Sequence, residues 1–220
     1  MRYTRPTMAA LLGAALLGLG GCVTPPAPYD YTAFQQSPPR SILILPPINE
    51  SVAVEATYSY LSTVTRPVAE LGYYVFPVAV VDQLMKENGM PDAAEMHQVS
   101  LDKVREITGA DAVLYPVLHA YGSKYVIFDS TTTVSVSARL VDTRSGRLLW
   151  EGQAVVAQGN NGGNQGGLLG QLVGALVAQV INSKTDPAHQ VSRMANFQLF
   201  QTAGRGLPFG PYHSDAGKPP

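Results

Sequence analysis

Cysteine is almost missing from this chain: Cys22 is the one thiol among 220 residues, so no intramolecular disulfide can form. Charge is sparse as well. Asp, Glu, Lys and Arg make up 14% of the residues, against about 25% in an average soluble protein. Lys and Arg number 15 and acidic residues 16, with no basic run. Phosphate backbones need clustered cations, so nucleic acid is not an expected partner. Local enzyme signatures are missing too: there is no H-E-x-x-H, no G-x-S-x-G and no Gly-Lys-Ser/Thr. The histidines His97, His119, His189 and His213 stand in unrelated contexts without metal-ligand spacing. His119, in or just after a strand, reads as a structural histidine. Asp82 and Glu87 fit a solvated helix face. No catalysis, metal or cofactor is expected.

What is present begins with a leader. Residues 1–21 carry Arg2 and Arg5, then an apolar run from Met8 to Leu19 with small residues interspersed. This is the pattern of a secretory signal peptide, too short to span a bilayer. It ends in Leu19-Gly20-Gly21-Cys22, which resembles the bacterial lipobox: an aliphatic residue, two small ones that let a peptidase approach the backbone, and the cysteine. Lipid on the thiol, with palmitate or a similar chain on the freed amine, would anchor the chain. Each buried CH₂ contributes roughly 0.8 kcal/mol, and stable anchoring takes more than one acyl chain. Val23 follows the cysteine where an Asp would resemble an inner-membrane retention signal, so the expected location is the outer membrane, facing the periplasm. Loss of the leader leaves 13 basic against 16 acidic residues.

Residues 22–40 read as the lipidated N-terminus and a tether. Pro25, Pro26, Pro28, Pro38 and Pro39 block regular structure, and polyproline character gives a reach of about 3.1 Å per residue. Tyr29, Tyr31 and Phe34 are expected to pack where the tether meets the domain.

Residues 41–200 form the expected domain. Ser41 to Leu45 is a continuous apolar run, a buried strand closed by Pro46-Pro47. Val54, Tyr58, Leu61, Val64, Val68 and Leu71 recur at helical spacing, with Asn49 or Ser51 as cap and Pro67 predicting a kink or two short helices. Tyr73–Pro77 is a second strand. Helices follow over 80–88 and after Ser100, ended by Gly89 and Gly109. Ala112–Leu118 is a third strand. The order argues for parallel pairing with helical crossovers. Thr131–Val141 and Leu148–Val156 then alternate around a turn at 142–146, an antiparallel hairpin. The expected class is α/β, one domain with a mixed sheet of about five strands packed by helices.

Gly159–Gly167 is a loop, and Leu168–Asn182 a helix apolar nearly all round. Gly170, Gly174 and Ala178 share one small-residue face, flanked by Leu172 and Leu176. The helix either packs on its own sheet or serves as a partner or dimerisation surface. Asp186-Pro187 starts a last helix with Val191, Met194, Ala195 and Leu199 inward. Residues 201–220, rich in Gly and Pro, are expected to be disordered.

The segments SILILPPINES, LGYYVFPVAVVDQLMKENG, GADAVLYPVL and VSVSARLVDTRSGRLLWEG together resemble a family of bacterial outer-membrane lipoproteins that includes a genome-derived neisserial antigen. The family is similar in fold to the TolB amino-terminal domain and to the periplasmic domain of the curli secretion lipoprotein. The resemblance implies a module for protein–protein contacts in envelope assembly, secretion or transport. It also implies a homodimer and a companion curli-secretion-like lipoprotein. A carrier of lipid or another small apolar ligand, with the apolar helix lining a cleft, is the alternative; an enzyme is a further, remoter one.

The leader generates the first test. The wild-type chain in membranes should carry acyl chains by intact mass and migrate with outer membrane on a density gradient. Cys22→Ala should lose both. An unmodified, soluble wild type would remove the anchor.

Overall fold

The computed structural model describes residues 28–126, 129–159 and 186–219. The expected leader, Cys22 and the apolar segment 168–182 lie outside them. In chain order the elements are α1 (Thr32–Gln36), β1 (Ser41–Ile44), β2 (Ile48–Asn49), α2 (Ala56–Glu70), β3 (Tyr74–Val75), α3 (Val78–Glu87), α4 (Ala93–Met96), α5 (Leu101–Thr108), β4 (Ala112–Val126), β5 (Asp129–Asp142), β6 (Leu148–Gly159) and α6 (Pro187–Gln201).

The sheet is mixed, in the order β3-β1-β4-β5-β6. β1 lies parallel to both β3 and β4, whereas β5 pairs antiparallel with β4 and β6. The α/β expectation therefore holds, with one strand more than expected. That strand is β2, parallel to Val117–Leu118 further along β4. Proline has no N–H to give a ladder, so Pro46-Pro47 interrupts pairing along β4 and the chain resumes it two residues on. The prolines divide the flanking strand where a terminus was expected.

β1 is buried on both faces, which explains its unbroken apolar run. Ile42 and Ile44 join a core with α2 and α6, and Leu43 and Leu45 join a second core with α3, α4 and α5. In α2, Tyr60, Leu61, Val64 and Val68 are buried at helical spacing. The helix runs through Pro67 to Glu70 as one element. The expected division fails because proline removes only the bond to the Thr63 carbonyl, close to the end, while Val64 and Val68 hold the last turns in the core. α5 follows expectation: the Ser100 hydroxyl accepts from the Lys103 N–H at 3.3 Å, and Gly109 closes the helix with φ 71°.

α6 lies across the antiparallel half. Asp186 caps it by accepting from the Ala188 N–H at 2.9 Å. Val191, Ala195, Leu199 and Phe200 are buried with Val134, Val136, Ala138, Leu140 and Trp150. Between α6 and α2 sits a polar knot. The Thr63 hydroxyl donates to the Tyr60 carbonyl at 2.7 Å and accepts from Asn196 Nδ2 at 2.9 Å. Its proton is thus committed, so the Ser192 hydroxyl, 2.8 Å away, donates to it.

Tyr29, Tyr31 and Phe34 pack against the domain as expected, with Phe34 buried, but Thr32–Gln36 is a helix where the prolines were expected to block regular structure. The tail, expected to be disordered, folds as residues 202–219. Leu207 is buried. The Gly210 N–H reaches the Leu71 carbonyl at 2.8 Å, and the Tyr212 N–H reaches the Gly72 carbonyl at 3.1 Å. These carbonyls close α2, and a helix end leaves acceptors unpaired. The Tyr73 hydroxyl also donates to the Pro208 carbonyl. A tail without periodicity is held by backbone groups, which composition does not display.

Gly72 is where this docking is tightest. Its φ is +87°, and a Cβ there would stand 2.5 Å from the His213 backbone nitrogen. Gly72→Ala should combine the left-handed penalty, about 1–2 kcal/mol, with overpacking of about 1–3 kcal/mol. Denaturant unfolding should show both losses in the full chain and only the first when residues 209–220 are removed.

Candidate interaction surface and anchor side

The N-terminal segment is fastened to one end of the sheet. The Ser37 hydroxyl donates to Asp142 Oδ2 at 2.6 Å, and the Arg147 guanidinium donates to Gln36 at 2.8 Å. The Tyr31 hydroxyl donates to the Gly206 carbonyl at 2.8 Å. Burial pushes the Tyr31 phenol up to about 12, so it remains a donor. Asp111 accepts from the backbone of Arg40 and Ser41 and pairs with Arg144 at 2.9 Å. Residues 29–40 are thereby part of the folded unit, at the end that carries the 142–147 turn.

β6 is an outer strand of the sheet. Its Glu151 N–H points away from β5 and donates to the Tyr29 hydroxyl at 2.8 Å. Backbone groups alternate sides along a strand, so Gln153, Val155 and Ala157 direct theirs outward as well. Among the described residues no further strand pairs with them. Val155 is 61% exposed. This is an open edge of the kind that accepts another strand.

Among the described residues, one face of the same hairpin is also left uncovered. β5 turns Val134, Val136, Ala138 and Leu140 into the core, so Thr133, Ser135, Ser137 and Arg139 face the other way. Across the ladder, Arg139 opposes Glu151, Ser137 opposes Gln153, and Ser135 opposes Val155. α3, α4 and α5 cover β1 and the start of β4. None of Val117, Val155 and Ala157 joins either core.

This face brings together three residues that sequence reading left apart. The β4–β5 register shifts between Leu118 and Ala120, leaving His119 as the extra residue of a bulge. The Glu50 N–H donates to the Leu118 carbonyl at 2.8 Å, placing Glu50 beside it. The His119 ring then lies between two partners: Nδ1 is 2.7 Å from Glu50 Oε2, and Nε2 is 2.8 Å from the Ser137 hydroxyl. His119 is exposed, and both of its ring nitrogens have partners. These residues stand 69 and 18 positions apart, so no local motif could announce them. The alternation of β5, which turns Ser137 outward, was the one visible hint.

The other histidines are accounted for locally. His97 lies 2.9 Å from the Pro46 carbonyl and edge-on to Tyr115, and burial lowers its pKa. His213 stacks on Phe209. Among the described residues no group of three or more His, Cys, Asp or Glu could hold a metal, and no helix is long and apolar enough to cross a membrane. The lipobox residues Leu19, Gly20, Gly21 and Cys22, and the interface candidates Gly170, Leu172, Gly174, Leu176 and Ala178, lie outside the described residues.

A family model described as "Putative lipoprotein GNA1162-like" matches residues 29–212. The chain is 48% identical over 187 residues to "Putative lipoprotein NMB1124/NMB1162" of Neisseria meningitidis serogroup B, covering 84% of this chain and 86% of that protein. It is similar to the crystal structure of lipoprotein GNA1162 from Neisseria meningitidis, with 51% identity and a TM-score of 0.55, over 66% of this chain and all of the other.

Asp142 fastens Ser37 to the 142–147 turn, and its contribution to stability depends on pH. Burial alone would raise its carboxyl, but hydrogen bonds from the Ser37 hydroxyl, Ser145 and the Arg144 backbone hold it below its ordinary value. A depressed carboxyl contributes stability at pH above its unfolded pKa, and that stability is lost as pH falls through the folded one. Thermal melting should therefore weaken below about pH 4. Asp142→Asn should make that fall shallower, and should lower neutral-pH stability by about 1–3 kcal/mol.

Proposed function

Since this chain belongs to the GNA1162-like lipoprotein family, we propose that it is an outer-membrane lipoprotein whose periplasm-facing domain binds other envelope proteins. Cys22 carries the lipid, and the domain serves envelope assembly, secretion or transport by contact with its partners. The observation that carries this reading is the open edge of β6. Gln153, Val155 and Ala157 present outward backbone groups beside a flat face of small and polar side chains. An extended segment can add to such an edge, with main-chain hydrogen bonds giving affinity and alternate side chains giving selectivity.

The occupant is a protein strand, from a second copy in a homodimer or from a companion lipoprotein of the curli-secretion type. The docking of residues 29–40 at the 142–147 end ties the anchor to one end of the sheet and leaves the outer part of β6 free of it. Charge on the face is sparse and mixed in sign: Arg139 opposes Glu151, Glu50 stands beside His119, and Lys124 lies opposite Thr131. Encounter should accordingly depend weakly on salt.

A photo-crosslinking residue at Gln153 or Val155, in the full chain in its membrane, should capture a discrete protein. Val155→Pro removes one outward N–H and leaves the ladder to β5 intact, as proline is tolerated on edges. It should reduce capture at least about tenfold, the equivalent of roughly 1.4 kcal/mol, with thermal melting unchanged. No product from either position would overturn the edge as the binding element. Native mass spectrometry showing a retained lipid in place of a protein complex would favour the ligand-carrier alternative.

A further inference from the structure

The binding reading makes no use of the chain Glu50–His119–Ser137. A carboxylate only accepts, so the 2.7 Å contact with Glu50 Oε2 places a proton on His119 Nδ1. In the neutral ring Nε2 is then unprotonated, and the Ser137 hydroxyl 2.8 Å away must donate to it. Acid, imidazole and hydroxyl are thus connected in the order and polarity that activates a serine, a constellation recognised by geometry rather than by sequence position. The other serine–histidine contact lacks these features: Ser59 lies 3.4 Å from His189 Nδ1 and shares its hydroxyl with Tyr121 at 2.5 Å.

The placement leaves Ser137 approachable. It lies on the outward face of β5, between Val117 on β4 and Gln153 on β6. Arg139, two residues along the same face, is exposed. Directly opposed side chains start about 5 Å apart and same-face neighbours about 7 Å apart. Gln153, opposite Ser137, and Arg139, two residues along, are the hydrogen-bond donors that the register puts on the same face.

We propose that Ser137 is a surface nucleophile, with His119 as its general base and Glu50 as a positioning residue, and that it takes an acyl group from small activated esters. The Ser137 oxygen attacks the ester carbonyl carbon while its proton passes to His119 Nε2. A C–O bond forms, and the carbonyl electron pair moves to oxygen. Collapse breaks the bond to the leaving alcohol, which takes the proton back from Nε2. The products are acyl-Ser137, free alcohol and neutral His119. Water repeats the sequence to release the acid. Ser137 stands on a partly exposed sheet face, and access of water to it keeps the reaction slow. This activity stands apart from partner binding at β6, and either can fail without the other.

The test is intact-mass and peptide mapping of the full chain, purified in detergent and exposed to an alkyl fluorophosphonate. Displacement of fluoride should give one adduct, on Ser137, absent in Ser137→Ala. His119→Ala should slow it about 100-fold or more, the range of general-base catalysis. Glu50→Gln should slow it about tenfold or more, and Glu50→Asp, which restores a carboxylate, should recover part of the rate; a merely structural role would leave the labelling rate unmoved by either change. Glu50 and His119 are exposed and Ser137 is half-buried outside both cores, so melting temperatures should match wild type. No adduct, an adduct on another serine, or unchanged labelling of His119→Ala would overturn the proposal.

Discussion

The backbone of β4 is committed on both flanks. Its first residues pair with β1 on one side and with the end of β5 on the other. Further along, β2 takes over on one flank while β5 continues on the other. A buried strand must satisfy its N–H and C=O groups, so β4 dictates where both halves of the sheet lie. The parallel half needs helical crossovers, and these helices cover both of its faces. The antiparallel half needs only a hairpin, and α6 covers one face of it. The open face and the open edge of β6 follow from that asymmetry.

The same strand assembles the surface site. The β2 pairing fixes Glu50, the bulge turns His119 outward, and the β5 register supplies Ser137. Each step is a backbone hydrogen-bonding event, and the side chains come together as its consequence. At the opposite end, Asp111 and Asp142 act similarly. They tie the start of β1 and the segment before it to the turn between β5 and β6. The molecule therefore has a fastening end and, further along the sheet, an exposed polar face.

Much of the fold was legible because burial leaves a periodic trace. The run at 41–45 is apolar throughout because β1 faces two cores, and the alternation at 131–141 reports a strand with one wet face. Caps were legible for the same kind of reason: Ser100 and Asp186 each satisfy a nearby N–H, and Gly109 takes a positive φ. Where the reading failed, a long-range contact outweighed a local rule. Pro67 ends no helix because Val64 and Val68 are held by the core. The tail orders because Leu71 and Gly72 offer carbonyls to it.

By itself the sequence determined the α/β class and the position of most elements, because periodicity and caps are written within short windows. Only the tertiary structure decided the sixth strand, the hydrogen-bond partners that hold residues 29–40, the docking of the tail, and the meeting of Glu50, His119 and Ser137. These depend on strand register between segments far apart in the chain. A shift of one residue along β4 or β5 would turn the outward side chains to the other face, and nothing local to any of them records which register is taken.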